Sequence, residues 1–116
     1  MKHTESSLQV ACVQWFRLQY PNELLFAIPN GGARNAVTGA ILKREGVTAG
    51  VPDLFLATPN MSYHGLFIEM KTQKTTTSAR QKVVIEQLKK QGYAVDVCHS
   101  FEEFRSAIAK YLNNRI

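Results

Sequence analysis

The chain reads as an α/β domain with a mixed four-stranded sheet flanked by helices, in the order α-β-α-β-β-α-β-α. Three patterns carry that expectation. Apolar residues recur at helical spacing at both ends of the chain. Two runs, 53–57 and 65–70, alternate apolar and other residues on either side of the Pro59-Asn60 breaker, as the arms of an antiparallel hairpin do. A helix-patterned segment then separates that hairpin from the last apolar run, and such a crossover makes the sheet mixed. With 116 residues, 45% of them hydrophobic, the chain can bury one core, so residues 1–116 are expected to form a single domain.

Each element has its own signals. Leu8, Cys12, Trp15 and Leu18 or Gln19 define a first helix from about Thr4 to Tyr20, stopped by Pro21. Glu5 lies one turn before Leu8 on the same stripe, either as an inward carboxylate or as an acid favoured by the helix dipole. Leu24 to Ile28 reads as a short buried strand, and Asn30-Gly31-Gly32 as a turn beside Arg34. Ala36, Val37, Ala40 and Ile41 suggest a second helix ended by Gly46. A third helix opens at Thr77 or Ser78, where Ser78 and Gln81 have capping-box spacing; it buries Val84, Ile85 and Leu88 and ends at Gly92. Tyr93 to Cys98 alternates as the fourth strand. Ser100 and Glu103 form a second capping box, opening a last helix whose apolar face is Phe101, Phe104, Ile108 and Tyr111 or Leu112.

Two short motifs carry the chemistry: Val51-Pro52-Asp53 closing a turn, and Ile68-Glu69-Met70-Lys71 ending an apolar run. Residues two apart on a strand share a face, so Glu69 and Lys71 point one way while Ile68 and Met70 point the other. If Ala57 pairs with Gly65, then Leu56 meets Leu66, Leu54 meets Ile68, and Asp53 falls opposite Glu69. Like charges opposed across a ladder are unfavourable, and a bound cation compensates them. Carboxylate oxygens suit Mg²⁺, a hard ion that also keeps waters or phosphate oxygens. Lys71 is placed to orient a water or to steady charge on a phosphate. The alternative is an exposed strand-start Asp and a surface Glu/Lys pair.

The net charge is +5 and it is unevenly spread. From Lys71 to Gln91 the chain carries Lys71, Lys74, Arg80, Lys82, Lys89 and Lys90 against the single acid Glu86. A basic stretch beside the acid pair suits a phosphate backbone, read without sequence preference. Arg34, Lys74, Arg80 and Lys82 are therefore the candidate nucleic-acid contacts. Cys12 and Cys98 each sit in an apolar pattern and read as buried free thiols. His3, His64 and His99 share no ligand spacing. No apolar stretch is long enough to span a membrane, and the first residues have no signal-peptide core, so a cytoplasmic protein is expected.

Pro52-Asp53 followed by Glu69-Met70-Lys71 resembles the PD-(D/E)xK nuclease signature. More of the chain is similar to its VRR-NUC branch, the virus-type replication-repair nucleases. The likeness runs through Glu5 and Gln9, Ile28 to Gly32 with Arg34, Gly46 to Leu54, Ser78 to Gln81, and Leu88 to Tyr93. One departure is Ala27, where members often carry His. The resemblance implies a restriction-endonuclease-like core. It also implies a metal held by Asp53, Glu69 and the Met70 carbonyl, catalysis by Lys71, and Glu5 and Gln81 completing the site. Mg²⁺ is the implied cofactor, with Mn²⁺ able to substitute. The implied activity is endonucleolytic hydrolysis of branched or structured DNA, Holliday-junction-resolvase-like, by a homodimer acting in replication, recombination or repair. The aromatic end of the first helix at Trp15, Phe16 and Tyr20, or the apolar last helix, is the candidate contact between copies. The competing readings are a catalytically inactive DNA-binding subunit of the same fold and an unrelated α/β domain.

Overall fold

The structure, a computed structural model, describes residues 4–29, 36–72 and 76–115. Its elements follow the expected order: α1 (Glu5–Gln19), β1 (Leu25–Ala27), α2 (Ala36–Arg44), β2 (Leu54–Leu56), β3 (Leu66–Met70), α3 (Ala79–Lys90), β4 (Ala94–Cys98) and α4 (Phe101–Asn113). The strands form one sheet, β1-β2-β3-β4. The first two pairings are antiparallel and the third is parallel, because α3 returns the chain to the starting end before β4 begins.

The hairpin takes the register that follows from pairing Ala57 with Gly65, with Leu54 opposite Ile68 and Leu56 opposite Leu66. Opposed residues share a face, so Leu54, Leu56, Leu66, Ile68 and Met70 project together and are fully buried. Cys12 and Phe16 of α1 and Phe104, Ile108 and Leu112 of α4 close over that face. Each large side chain buried there stabilises the fold by ~1.5–3 kcal/mol. The hairpin tip is tied to the same layer. Asn60 Oδ1 accepts the N–H groups of Ser62 and Tyr63 at 2.9 and 2.8 Å, and its Nδ2 donates to the Tyr111 carbonyl at 3.0 Å. The Tyr111 hydroxyl donates to the Thr58 carbonyl at 2.7 Å.

Cys12 and Cys98 are free and buried in this core. Burial pushes the Cys12 thiol up to about 11 and the Cys98 thiol up to about 12, with the nearby acids Glu102, Asp96 and Glu103 adding to the effect. No described helix is long and apolar enough to cross a membrane.

Several local expectations are corrected. Leu18 is 85% exposed, and Phe16 takes the inward place. At 3.6 residues per turn, position 18 has rotated away from the Leu8–Cys12 stripe while 16 remains on it. β1 is an edge strand, so only Leu25 is buried and Phe26 faces outward. The second helix forms as expected, and in it Val37 is 72% exposed and Ile41 is exposed as well. At α4, Ser100 accepts the Glu103 N–H, but the Glu103 carboxylate accepts from the His99 N–H at 2.8 Å, which lowers its pKa and leaves the box half made. Trp15, Phe16 and Tyr20 are not a free surface either. Trp15 packs edge-to-face on Tyr20, Phe101 and Phe104, and Phe16 lies against Tyr20, so this end of α1 and the apolar face of α4 cover each other.

Candidate active site

The site forms where β2 begins and β3 ends. Continuing the hairpin register one step past Leu54 and Ile68 places Asp53 opposite Glu69. Asp53 is fixed at both ends of the residue. Its backbone carbonyl accepts the Ile28 N–H at 2.7 Å, and its Oδ2 accepts the Met70 N–H at 2.8 Å. Glu69 is only 4% exposed. Its Oε2 accepts from Gln81 Nε2 at 2.8 Å and lies 3.6 Å from Lys71 Nζ. Its Oε1 is buried and has no hydrogen-bond partner. Burial pushes the Glu69 carboxyl up from its ordinary 4.5 to about 7, the adjacent Asp53 charge pushes the same way, and Lys71 opposes them.

Gln81 arrives through the start of α3. Ser78 Oγ accepts the Gln81 N–H at 3.1 Å while Gln81 Oε1 accepts the Ser78 N–H at 2.9 Å, a complete capping box. The turn before Asp53 holds this helix start in place. Gly50 has φ +92°, and a Cβ there would lie 2.9 Å from the Arg80 carbonyl oxygen. Arg80 Nε donates to the Ala49 carbonyl at 3.4 Å. The Gly50 turn and the first turn of α3 therefore meet backbone to backbone, a contact that sequence reading missed. Its signal was the glycine two residues before Pro52.

The oxygens gathered here fit a hard divalent cation. Asp53 and Glu69 lie side by side, and the unpaired Glu69 Oε1 is a buried acceptor lacking a donor, which a cation satisfies. The Met70 carbonyl leaves β3 on the same side as its N–H, toward Asp53. The structure groups these with Lys71 and Gln81. Glu5 stands exposed in the first turn of α1, whose start is capped by Thr4 and Ser7. Among the described residues no set of three or more His, Cys, Asp or Glu is gathered for a metal. Arg80 and Lys82 are exposed at the start of α3, on either side of Gln81 in the chain. Arg34 and Lys74 lie outside the described residues.

The VRR-NUC domain family matches residues 3–102. Comparison with curated proteins gives no match. Among solved structures, one titled "VRR_NUC domain protein" superposes with a TM-score of 0.82 at 28% sequence identity, over 99% of this chain and 93% of that one. A nuclease-like fold with the acid pair at its expected strand ends, matched along nearly its whole length, makes this chain a member of the VRR-NUC domain family.

Proposed function

We propose that the protein is a divalent-metal-dependent DNA endonuclease, and the observation that carries the proposal is the half-buried Asp53 beside the buried Glu69, whose Oε1 is orphaned. Asp53, Glu69 and the Met70 carbonyl would hold Mg²⁺ or Mn²⁺. When bound, that ion supplies Lewis acidity toward phosphate oxygens and makes water a stronger acid.

The chain's own groups prepare the site. The Met70 N–H fixes the Asp53 carboxylate, and Gln81 fixes one oxygen of Glu69, so neither acid must reorganise when a charged ligand arrives. Lys71 places an ammonium beside Glu69, where it offsets the anionic charge of the pair and of an incoming phosphate. Arg80 and Lys82, on the turn that presents Gln81, attract the nucleic-acid backbone toward the acids. Structure-selective cleavage of branched DNA by a two-fold dimer, in replication, recombination or repair, is the finer form of this reading. Two matched cuts in a symmetric junction require two copies of one site.

The test is a panel of labelled four-way junction, flap, splayed, single-stranded and linear duplex DNA with Mg²⁺, Mn²⁺ or chelator. Cleavage that needs metal, is lost in Asp53→Ala and Lys71→Ala, and leaves DNA binding nearly intact supports the reading. Wild-type cutting by both variants refutes the site, and DNA binding without cleavage under every condition makes the protein a binding subunit.

A further inference from the structure

On the sheet face that carries Asp53 and Glu69, the edge strand presents Leu24, Phe26 and Ile28 in one line, since alternate strand residues share a face. The register sets their place. Phe26 stands opposite Phe55 and Ala27 opposite Leu54, which brings Ile28 beside Asp53, where their backbones are bonded at 2.7 Å. Phe26 is one strand across and two residues along from Asp53, about 8 Å between Cα positions for ordinary strand spacings. Phe26 is 39% exposed and Leu24 is 62% exposed, whereas Phe55, Phe67 and Tyr93, which continue the ring row across the sheet, are half-buried. Phe55 props the Phe26 ring edge-to-face at 5.7 Å and is itself packed at 4.4 Å on Phe67.

This apolar line begins at a pair of acids suited to holding a phosphate through a cation, and it carries no charge. A sugar-phosphate backbone gains little on it. A nucleobase face does gain, because every base can stack on an aromatic ring. In continuous duplex those faces are closed inside the stack, and unpaired nucleotides present them. The geometry points to Phe26 as a specificity-determining contact that stacks on an unpaired nucleobase next to the cleaved phosphate. This inference rests on the endonuclease reading and names the substrate feature that the site selects.

The experiment compares wild type, Phe26→Ala, Phe26→Leu and Phe26→Trp on a flap duplex and on continuous duplex. Cleavage is measured with Mg²⁺ or Mn²⁺. Binding is measured without metal, using 2-aminopurine as the first unpaired base. Wild type is expected to quench 2-aminopurine on binding and to prefer the flap. Phe26→Ala should lower the flap-over-duplex cleavage ratio roughly fivefold or more and lose the quench, while Phe26→Trp keeps both. Phe26→Leu keeps apolar bulk and lacks the ring, so it should show the same two losses and stands in for Phe26→Ala if that variant fails to fold. An unchanged ratio and quench in the leucine variant overturn the inference. So does a dimer that becomes a monomer in light scattering with quenching intact, which would make the line a contact between copies. Phe26-dependent quenching with no cleavage by wild type supports the stacking and removes the endonuclease reading instead.

Discussion

Gln81 serves Glu69 and its own helix with the two ends of one amide. Oε1 accepts the Ser78 N–H at 2.9 Å, and Nε2 donates to Glu69 Oε2 at 2.8 Å. The reciprocal half of the capping box at the start of α3 and the contact that orients the acid come from the same side chain.

The two tasks separate by mutation. Ser78→Ala removes the cap and leaves the Gln81 amide able to reach Glu69, so it is expected to cost about 1 kcal/mol of stability in urea and to keep nicking within about threefold of wild type. Gln81→Ala should cost a similar stability but lower nicking about 10- to 100-fold, the usual effect of removing a partner that orients a ligand. Equal activity in the two variants reduces Gln81 to a capping residue.

Glu69 makes stability depend on pH in the metal-free protein. Its folded pKa, about 7, lies above its ordinary 4.5, so its stabilising contribution is complete below about pH 4.5 and is lost as pH rises through about 7. Wild type is expected to lose up to about 3 kcal/mol across that interval, and Glu69→Gln to remove the slope. Mg²⁺ or Mn²⁺ should raise the Tm of wild type at pH 8 and leave that of Glu69→Gln unchanged. Superimposable pH profiles for the two proteins argue against a buried, protonatable acid.

Gly50 and Gly46 provide a matched comparison. Both have positive φ, +92° and +106°, but a Cβ at Gly46 has no atom within 4 Å, whereas one at Gly50 meets the Arg80 backbone. Gly46→Ala carries the left-handed strain alone, about 1–2 kcal/mol. Gly50→Ala carries that strain and also displaces the helix start that presents Gln81, so it should be the less stable in urea and should lose nicking, which Gly46→Ala retains. The idea fails if both variants cleave alike.

Much of this arrangement was legible in the sequence because it depends on local periods. The two-residue alternation around Leu54 and Ile68 gave the faces, and pairing Ala57 with Gly65 gave the register and hence the opposition of Asp53 and Glu69. The three-residue spacing of Ser78 and Gln81 specified the cap. What was not legible depends on neighbours distant along the chain. Asn60 read as a turn residue, and its anchor at Tyr111 lies 51 positions away. Val37 and Ile41 had helical spacing, yet spacing does not say whether another element will cover them. Phe26 looked like an interior strand residue because edge position is a property of strand order, which single-strand patterns do not contain. Gln81 presented two sufficient explanations at once, and only the folded arrangement shows that both hold.

The two core cysteines give the protein an internal clock for its own opening. Shielded and protonated at neutral pH, Cys12 and Cys98 are closed to alkylating reagents as long as α1, β4 and α4 stay packed. The rate at which a thiol-specific dye labels them therefore counts excursions of that layer, with no probe engineered into the chain.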